Sequence, residues 1–286
     1  MPRHAFQLSR PKVQTTGVIF ASPHSGRDYP MWFLKKSVLD EKAIRSSEDA
    51  FVDRLFERAP QFGAPLLTAG APRAFVDLNR AADELDPALI EGLKRGPHNP
   101  RVASGLGVVP RVVSNGRAIY RGKITRDEAN SRIANYWRPY HDTLAGLISD
   151  ARAEFGQAVV IDCHSMPHEA IETARGRGSA RADVVLGDRF GGSASGEVVD
   201  RVEAAFAAAG LKVVRNAPFA GAFIAQHYGR PARNAHVVQV EIDRALYMDE
   251  TAILPSREFA SFRRLMTDVI AEIVEIGRSN TALAAE

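Results

Sequence analysis

Apolar runs and helical periodicities alternate along most of the chain. Gly17–Ser22 is a short apolar run that stops at Pro23-His24-Ser25-Gly26, and it reads as a buried strand breaking into a tight turn. Over Ser47–Ala59, Phe51, Val52, Leu55 and Phe56 recur on one helical face. Ser46 or Ser47 stands at the N-cap position, with Glu48 and Asp49 in the first turn, so an amphipathic helix is predicted. Pro65–Thr68 and Ala74–Leu78 read as short strands around Gly70–Pro72. From Asn79 to Gly122 the pattern dissolves into Pro, Gly and charge, predicting a long excursion with a strand or hairpin near Val112–Tyr120. Thr125-Arg-Asp-Glu128 has the capping-box spacing, and Ile133, Tyr136, Trp137 and Tyr140 follow at helical intervals. Pro139 predicts a kink or break in that long helix.

The second half repeats strand and helix more regularly. Ala158–Ile161 is an apolar strand, followed by a glycine-rich loop and a strand at Asp183–Leu186. Glu197–Ala209 is an alanine-rich helix ending at Gly210, with Ser193 or Ser195 as its cap. Leu211–Val214 and His236–Ile242 are further strands, and Arg257–Ile276 is a closing helix. This alternation predicts an α/β fold: a mixed, mostly parallel sheet flanked by helices. With no internal repeat and no linker, residues 1–286 are expected to form one domain, with a frayed tail from about residue 279.

Composition narrows the class. The chain is 45% hydrophobic and 25% charged, as in an ordinary globular protein, and no apolar run is long enough to span a bilayer. Its start lacks the apolar core of a secretory signal, and the single cysteine, Cys163, excludes an internal disulfide or a multi-thiolate zinc site. A reducing cytoplasm is the expected setting. The net charge of +3 comes from 37 basic residues interspersed with 34 acidic ones, so charge points to neither nucleic acid nor membrane as a partner. Nothing in the sequence sets the oligomeric state.

In open α/β sheets, functional groups gather at the carboxyl ends of strands. Three such places carry reactive residue types: His24 in VIFASPHSG, Asp162 and His164 in AVVIDCHSMP, and Glu241 in HVVQVEIDRALYMDE. Either histidine alone reads as a turn residue sooner than as a ligand. Two in matching strand-to-turn contexts, each followed by serine, favour a metal site. Glu241, amid apolar residues, is a candidate general base or an outward-facing strand residue. Asp162 either orients His164 or faces solvent. Arg73, Asn79 and Arg80 in APRAFVDLNR offer donors suited to a substrate carboxylate, or else ordinary surface salt bridges. His98, His141, His168, His227 and His236 show no ligand spacing, Cys163 reads as buried and inert, and no GxSxG, Walker or GxGxxG motif is present.

PHSG at 23–26, VDLNR at 76–80, YxxxYH at Tyr136–His141, DCHSMP at 162–167 and VEIDRALYMDE at 240–250 occur in one order across most of the chain. This ordered set resembles the N-formylglutamate amidohydrolase family, whose fold is similar to the zinc carboxypeptidases and the aspartoacylase group. The resemblance implies a zinc-peptidase (phosphorylase/hydrolase-like) architecture and one catalytic Zn2+. It makes His24 and His164 the histidine ligands and prefers Asp49 as the carboxylate ligand, with Glu48 and Asp28 as alternatives. Glu241 becomes the general base and acid, Arg73 the arginine that polarises the carbonyl, and Asn79 with Arg80 the pair that binds a substrate carboxylate.

The implied reaction converts N-formyl-L-glutamate, a small-molecule N-acyl amino acid, to formate and glutamate late in histidine breakdown. Two departures from the family's usual residues bear on acyl and amino-acid preference: Asp243 where asparagine is common, and Gly221-Ala222-Phe223 where Gly-Gly-Tyr is common. A zinc carboxypeptidase or deacylase acting on another acylated acidic amino acid or a peptide is the nearest alternative. A non-catalytic carboxylate-binding protein on the same fold is the alternative from another class.

Overall fold

The computed structural model describes residues 1–94, 96–174 and 182–278. Residues 175–181 of the glycine-rich stretch and the tail from 279 lie outside the described residues. The chain packs as two compact units. One comprises Met1–Gln7, Pro23–Ala50 and Thr68–Thr143, and the other Leu8–Ser22, Phe51–Leu67 and Leu144–Glu286.

The strands are β1 (Phe6–Ser9), β2 (Val18–Ser22), β3 (Leu66–Ala69), β4 (Ala158–Met166), β5 (Val184–Gly187), β6 (Val213–Arg215), β7 (Ala235–Asp243), β8 (Met248–Asp249) and β9 (Leu254–Pro255). Seven form a sheet in the order β1-β3-β2-β4-β7-β5-β6, and β8 pairs with β9. β2, β4 and β7 run parallel, as do β5 and β6, while β5 meets β7 antiparallel. The fold is therefore the mixed, mostly parallel α/β class. β2, β4 and β7 are buried along their whole lengths, which is why they read as near-continuous apolar runs. In the second unit, the helix Phe259–Val274 buries Phe259, Phe262, Met266, Val269, Ile270 and Ile273, a stripe spaced at three and four residues. No helix among the described residues is long and apolar enough to cross a membrane.

The first unit is poorer in regular structure. Its core is aromatic, with Trp32, Phe33, Phe75 and Tyr120 around the fully buried Arg132. The Arg132 guanidinium stacks 4.2 Å from the Phe75 ring and donates to Phe75 O, Tyr120 Oη and the Glu128 carboxylate.

Several sequence expectations change. The helix over 47–59 is replaced by a 3-10 turn at Ala43–Ser47 and a short helix at Val52–Leu55. Phe51, at φ 68°, breaks the helical path, and the Asp49 N–H donates to His24 O rather than to a helical carbonyl. The N-cap of the short helix is Phe51 in place of Ser46 or Ser47; Ser46 Oγ donates to Ala43 O, and Ser47 Oγ accepts from Ser114 N–H. Ala74–Leu78 forms no strand, because the N–H groups of Phe75 and Val76 turn back to Pro72 O.

Pro139 does not end its helix. A π-helical turn at Ile133–Trp137 joins Arg126–Arg132 to Arg138–Phe155 and carries the helix past the proline. Ser195 occupies the N-cap position before the helix Gly196–Ala208 without a side-chain cap bond, and Ser193 Oγ donates to Val237 O. The hairpin near Val112–Tyr120 is present as an antiparallel bridge, Val112 to Ala118, around the turn Ser114–Gly116.

Candidate functional site

In the first unit the polar residues converge on Asp77. Its Oδ1 accepts from the Asn79 N–H at 2.8 Å, a local Asx turn that folds VDLNR back on itself. The same oxygen lies 2.7 Å from His24 Nε2, and Oδ2 accepts from Arg73 Nε at 3.1 Å. Burial alone would push this carboxyl upward. His24, Arg73 and Arg80 outweigh it and hold Asp77 well below the usual carboxylate range. Asp77 therefore fixes a buried histidine, an arginine and the backbone of the following residues at once.

With Nε2 engaged by Asp77, His24 presents Nδ1 toward Asp49, whose Oδ2 is 3.5 Å away. That separation is long for a hydrogen bond. It matches two ligands on one tetrahedral zinc ion: bonds of about 2.0–2.2 Å put such atoms roughly 3.3–3.5 Å apart. The His24–Asp77 contact has the geometry of a carboxylate that orients a ligating imidazole. The other acidic candidates are engaged elsewhere. Glu48 takes two bonds from Arg45 and one from the Tyr29 hydroxyl, and Asp28 accepts from the Arg3 N–H. Burial first, then Glu48, pushes the Tyr29 hydroxyl pKa well above its ordinary value.

Asn79 and Arg80 are buried behind the same turn. Arg80 Nε donates to Leu106 O and Nη1 to Asn79 O, using two of the five N–H donors of a guanidinium. Burial lowers the Arg80 pKa, an effect that Asp77 opposes. The long helix grips this segment from outside. Trp137 Nε1 donates to Arg80 O at 2.8 Å, and His141 Nε2 lies 2.9 Å from Leu78 O. The two rings pack against each other with centroids 4.0 Å apart at an interplanar angle of 33°, and through Leu78 O His141 serves the backbone of VDLNR.

In the second unit, β4 continues three residues past Cys163 to Met166. His164 therefore sits inside a strand, not in the turn that the sequence suggested. Parallel register pairs Asp162 with Gln239, His164 with Glu241 and Met166 with Asp243. Alternate residues of in-register strands share a face, so Asp162, His164, Gln239 and Glu241 stand together on one side of the sheet. His164 Nε2 lies 3.0 Å from Asp162 Oδ1, and Asp162 is fully buried rather than facing solvent. Glu241 is 8% exposed and accepts from Gln239 Nε2 at 2.8 Å. Cys163 is also buried, and burial, with Asp162 nearby, pushes its thiol pKa well up, as expected of an inert cysteine.

The two departures from the family's usual residues have local partners. Asp243 Oδ2 lies 2.9 Å from His168 Nδ1, while its Oδ1 accepts from the Ala245 N–H. The Ala222 N–H donates to Gln239 Oε1. Sequence reasoning missed Asp77 and Gln239. The only signal for either was a polar side chain set between apolar neighbours, in VDL and VQV.

Comparison with known proteins bears on the whole chain. Residues 16–248 match the family model described as N-formylglutamate amidohydrolase. An N-formylglutamate deformylase of Pseudomonas aeruginosa is 31% identical over 263 residues, covering 90% of this chain and 91% of that protein. One from Pseudomonas putida is 28% identical, covering 84% and 85%. The crystal structure of N-formylglutamate amidohydrolase from Ralstonia eutropha JMP134 superposes with a TM-score of 0.88 at 35% identity, over 95% of this chain and 98% of that one.

Proposed function

Since this chain belongs to the N-formylglutamate amidohydrolase family, we propose that it hydrolyses the formyl amide of N-formyl-L-glutamate to formate and glutamate, with zinc as cofactor. The observation that carries the metal reading is the His24–Asp49 pair. Its Nδ1 and Oδ2 sit at the spacing of two zinc ligands, and Asp77 orients the imidazole from behind. His24, Asp49 and His164 are the proposed ligands, a buried set of two imidazoles and one carboxylate. Zinc, when bound, supplies Lewis acidity and an acidified water near neutral pH.

The chain's own groups do the rest. Glu241 takes the proton of the attacking water and passes it to the departing amine. Arg73, tied through Nε to the Asp77 carboxylate, faces charge developing on the amide oxygen. Asn79 and Arg80, fixed by the VDLNR turn and the Trp137 and His141 contacts, bind a substrate carboxylate and so orient the amide. This reading includes a cytoplasmic setting, a place in histidine breakdown, and a small-molecule substrate without nucleic acid or membrane.

The test measures metal content and formate release on the same sample. About one zinc per chain is expected, with formate release from N-formylglutamate that a chelator abolishes and added zinc restores. A folded, zinc-supplied chain that releases no formate refutes the proposal. The carboxylate clamp has its own signature. Arg80→Ala is expected to raise KM for N-formylglutamate by about 10–100-fold, the scale of one lost charged hydrogen bond, with a smaller effect on kcat. An equal loss on a formyl amide lacking carboxylates would remove Arg80 from this role.

A further inference from the structure

We infer that Gln239 is a positioning residue that aims the Glu241 carboxylate, an inference that rests on Glu241 being the proton carrier. Gln239 precedes Glu241 by two residues on β7, so the two side chains share a face of the sheet. It is 4% exposed, and both ends of its amide are engaged. Oε1 accepts from the Ala222 N–H at 2.8 Å, and Nε2 donates to Glu241 Oε1 at 2.8 Å.

The Ala222 bond decides the orientation of the amide. A backbone N–H requires an oxygen, so the NH2 end is the one turned toward Glu241. The terminal torsion of a glutamate is broad and roughly two-fold. A donor fixed at Oε1 narrows it and sets the direction of Oε2.

The mount for this donor is itself held. Arg189 N–H donates to Ala220 O at 2.7 Å, and Arg189 Nη1 donates to Gly221 O at 3.3 Å. Gly187 lies so close beneath that a Cβ there would meet Gly221 N at 2.6 Å. Gly221 has φ 107°, a conformation open to glycine and strained for other residues. The chain from 187 to 222 thus ends in one backbone N–H that locks one amide, and that amide locks the carboxylate.

Two variants separate positioning from folding. Gln239→Leu removes both bonds at similar size. Gln239→Glu keeps an oxygen for Ala222 but turns a second carboxylate oxygen on Glu241. Both are expected to lower kcat by about 10²-fold, the scale of a misplaced catalytic group, while KM changes by less than about threefold and bound metal is retained. In a Glu241→Gln background, adding Gln239→Leu should cost less than about twofold, because the carboxylate it aims is gone. The inference is overturned by a folded Gln239→Glu variant with wild-type kcat. A rise in KM at constant kcat, or equal losses with and without Glu241, overturns it too. Wild-type turnover by Glu241→Gln alone is a different failure: it removes Glu241 as the proton carrier, and with it the group Gln239 would aim.

Discussion

Glu241→Gln is expected to lower kcat for N-formylglutamate hydrolysis by about 10²–10⁴-fold with bound metal unchanged, the usual range for loss of a positioned general base. Glutamine keeps the size of the side chain, so β7 and its pairing with β4 persist. It also keeps an oxygen that can accept from Gln239 Nε2. What disappears is the capacity to carry a proton. The fall should therefore sit in kcat, with KM near its original value, since nothing that binds the ground-state substrate is removed. Single-turnover formate release alongside metal analysis makes the distinction. A variant with full metal and near-normal turnover would assign the base to another residue.

His164→Ala is expected to take metal content well below one equivalent and activity to background. A zinc ion left with His24 and Asp49 would lose one of three protein ligands. The variant should remain folded enough to measure: β4 is paired on both sides, with β2 and with β7, and alanine fits a buried strand. Circular dichroism and zinc analysis on one preparation decide the outcome. Full metal retention with an intact spectrum would remove His164 from the ligand set.

The buried strands were legible because their apolar runs leave little choice of environment, and the helix Phe259–Val274 because its stripe is long. His24, His164 and Glu241 stood out as polar groups in or beside such runs. The helix expected over 47–59 was not wrong about burial: Val52, Leu55 and Phe56 are all inside. Its failure lies in the backbone, where Asp49 is bonded to a residue 25 positions earlier and Phe51 turns left-handed. Pairing at that distance overrides local periodicity and leaves no mark in it. Asp77 escaped notice for a related reason. Its importance lies in His24, 53 residues away, and in Arg73, rather than in its immediate neighbours.

The π-helical turn at Ile133–Trp137 carries a consequence for numbering along the helix. Arg132, His141 and Trp137 contact the carbonyls of Phe75, Leu78 and Arg80, three points on one stretch of chain. Along the helix these three residues are spaced by five and then four. An unbroken α-helix brings residues four apart onto one face, and a fifth residue falls about 100° away. The wide turn absorbs that extra residue and brings Trp137 and His141 back into line with Arg132. Wound at its full length as an unbroken α-helix, the same stretch would rotate Tyr136 and Tyr140, four and eight residues after Arg132, into the places of the indole and imidazole. Two of the three carbonyl grips would go, and the backbone beneath Asn79 and Arg80 would lose its support. Helix quality and the grip on these three carbonyls are opposed here, and the chain keeps the poorer helix.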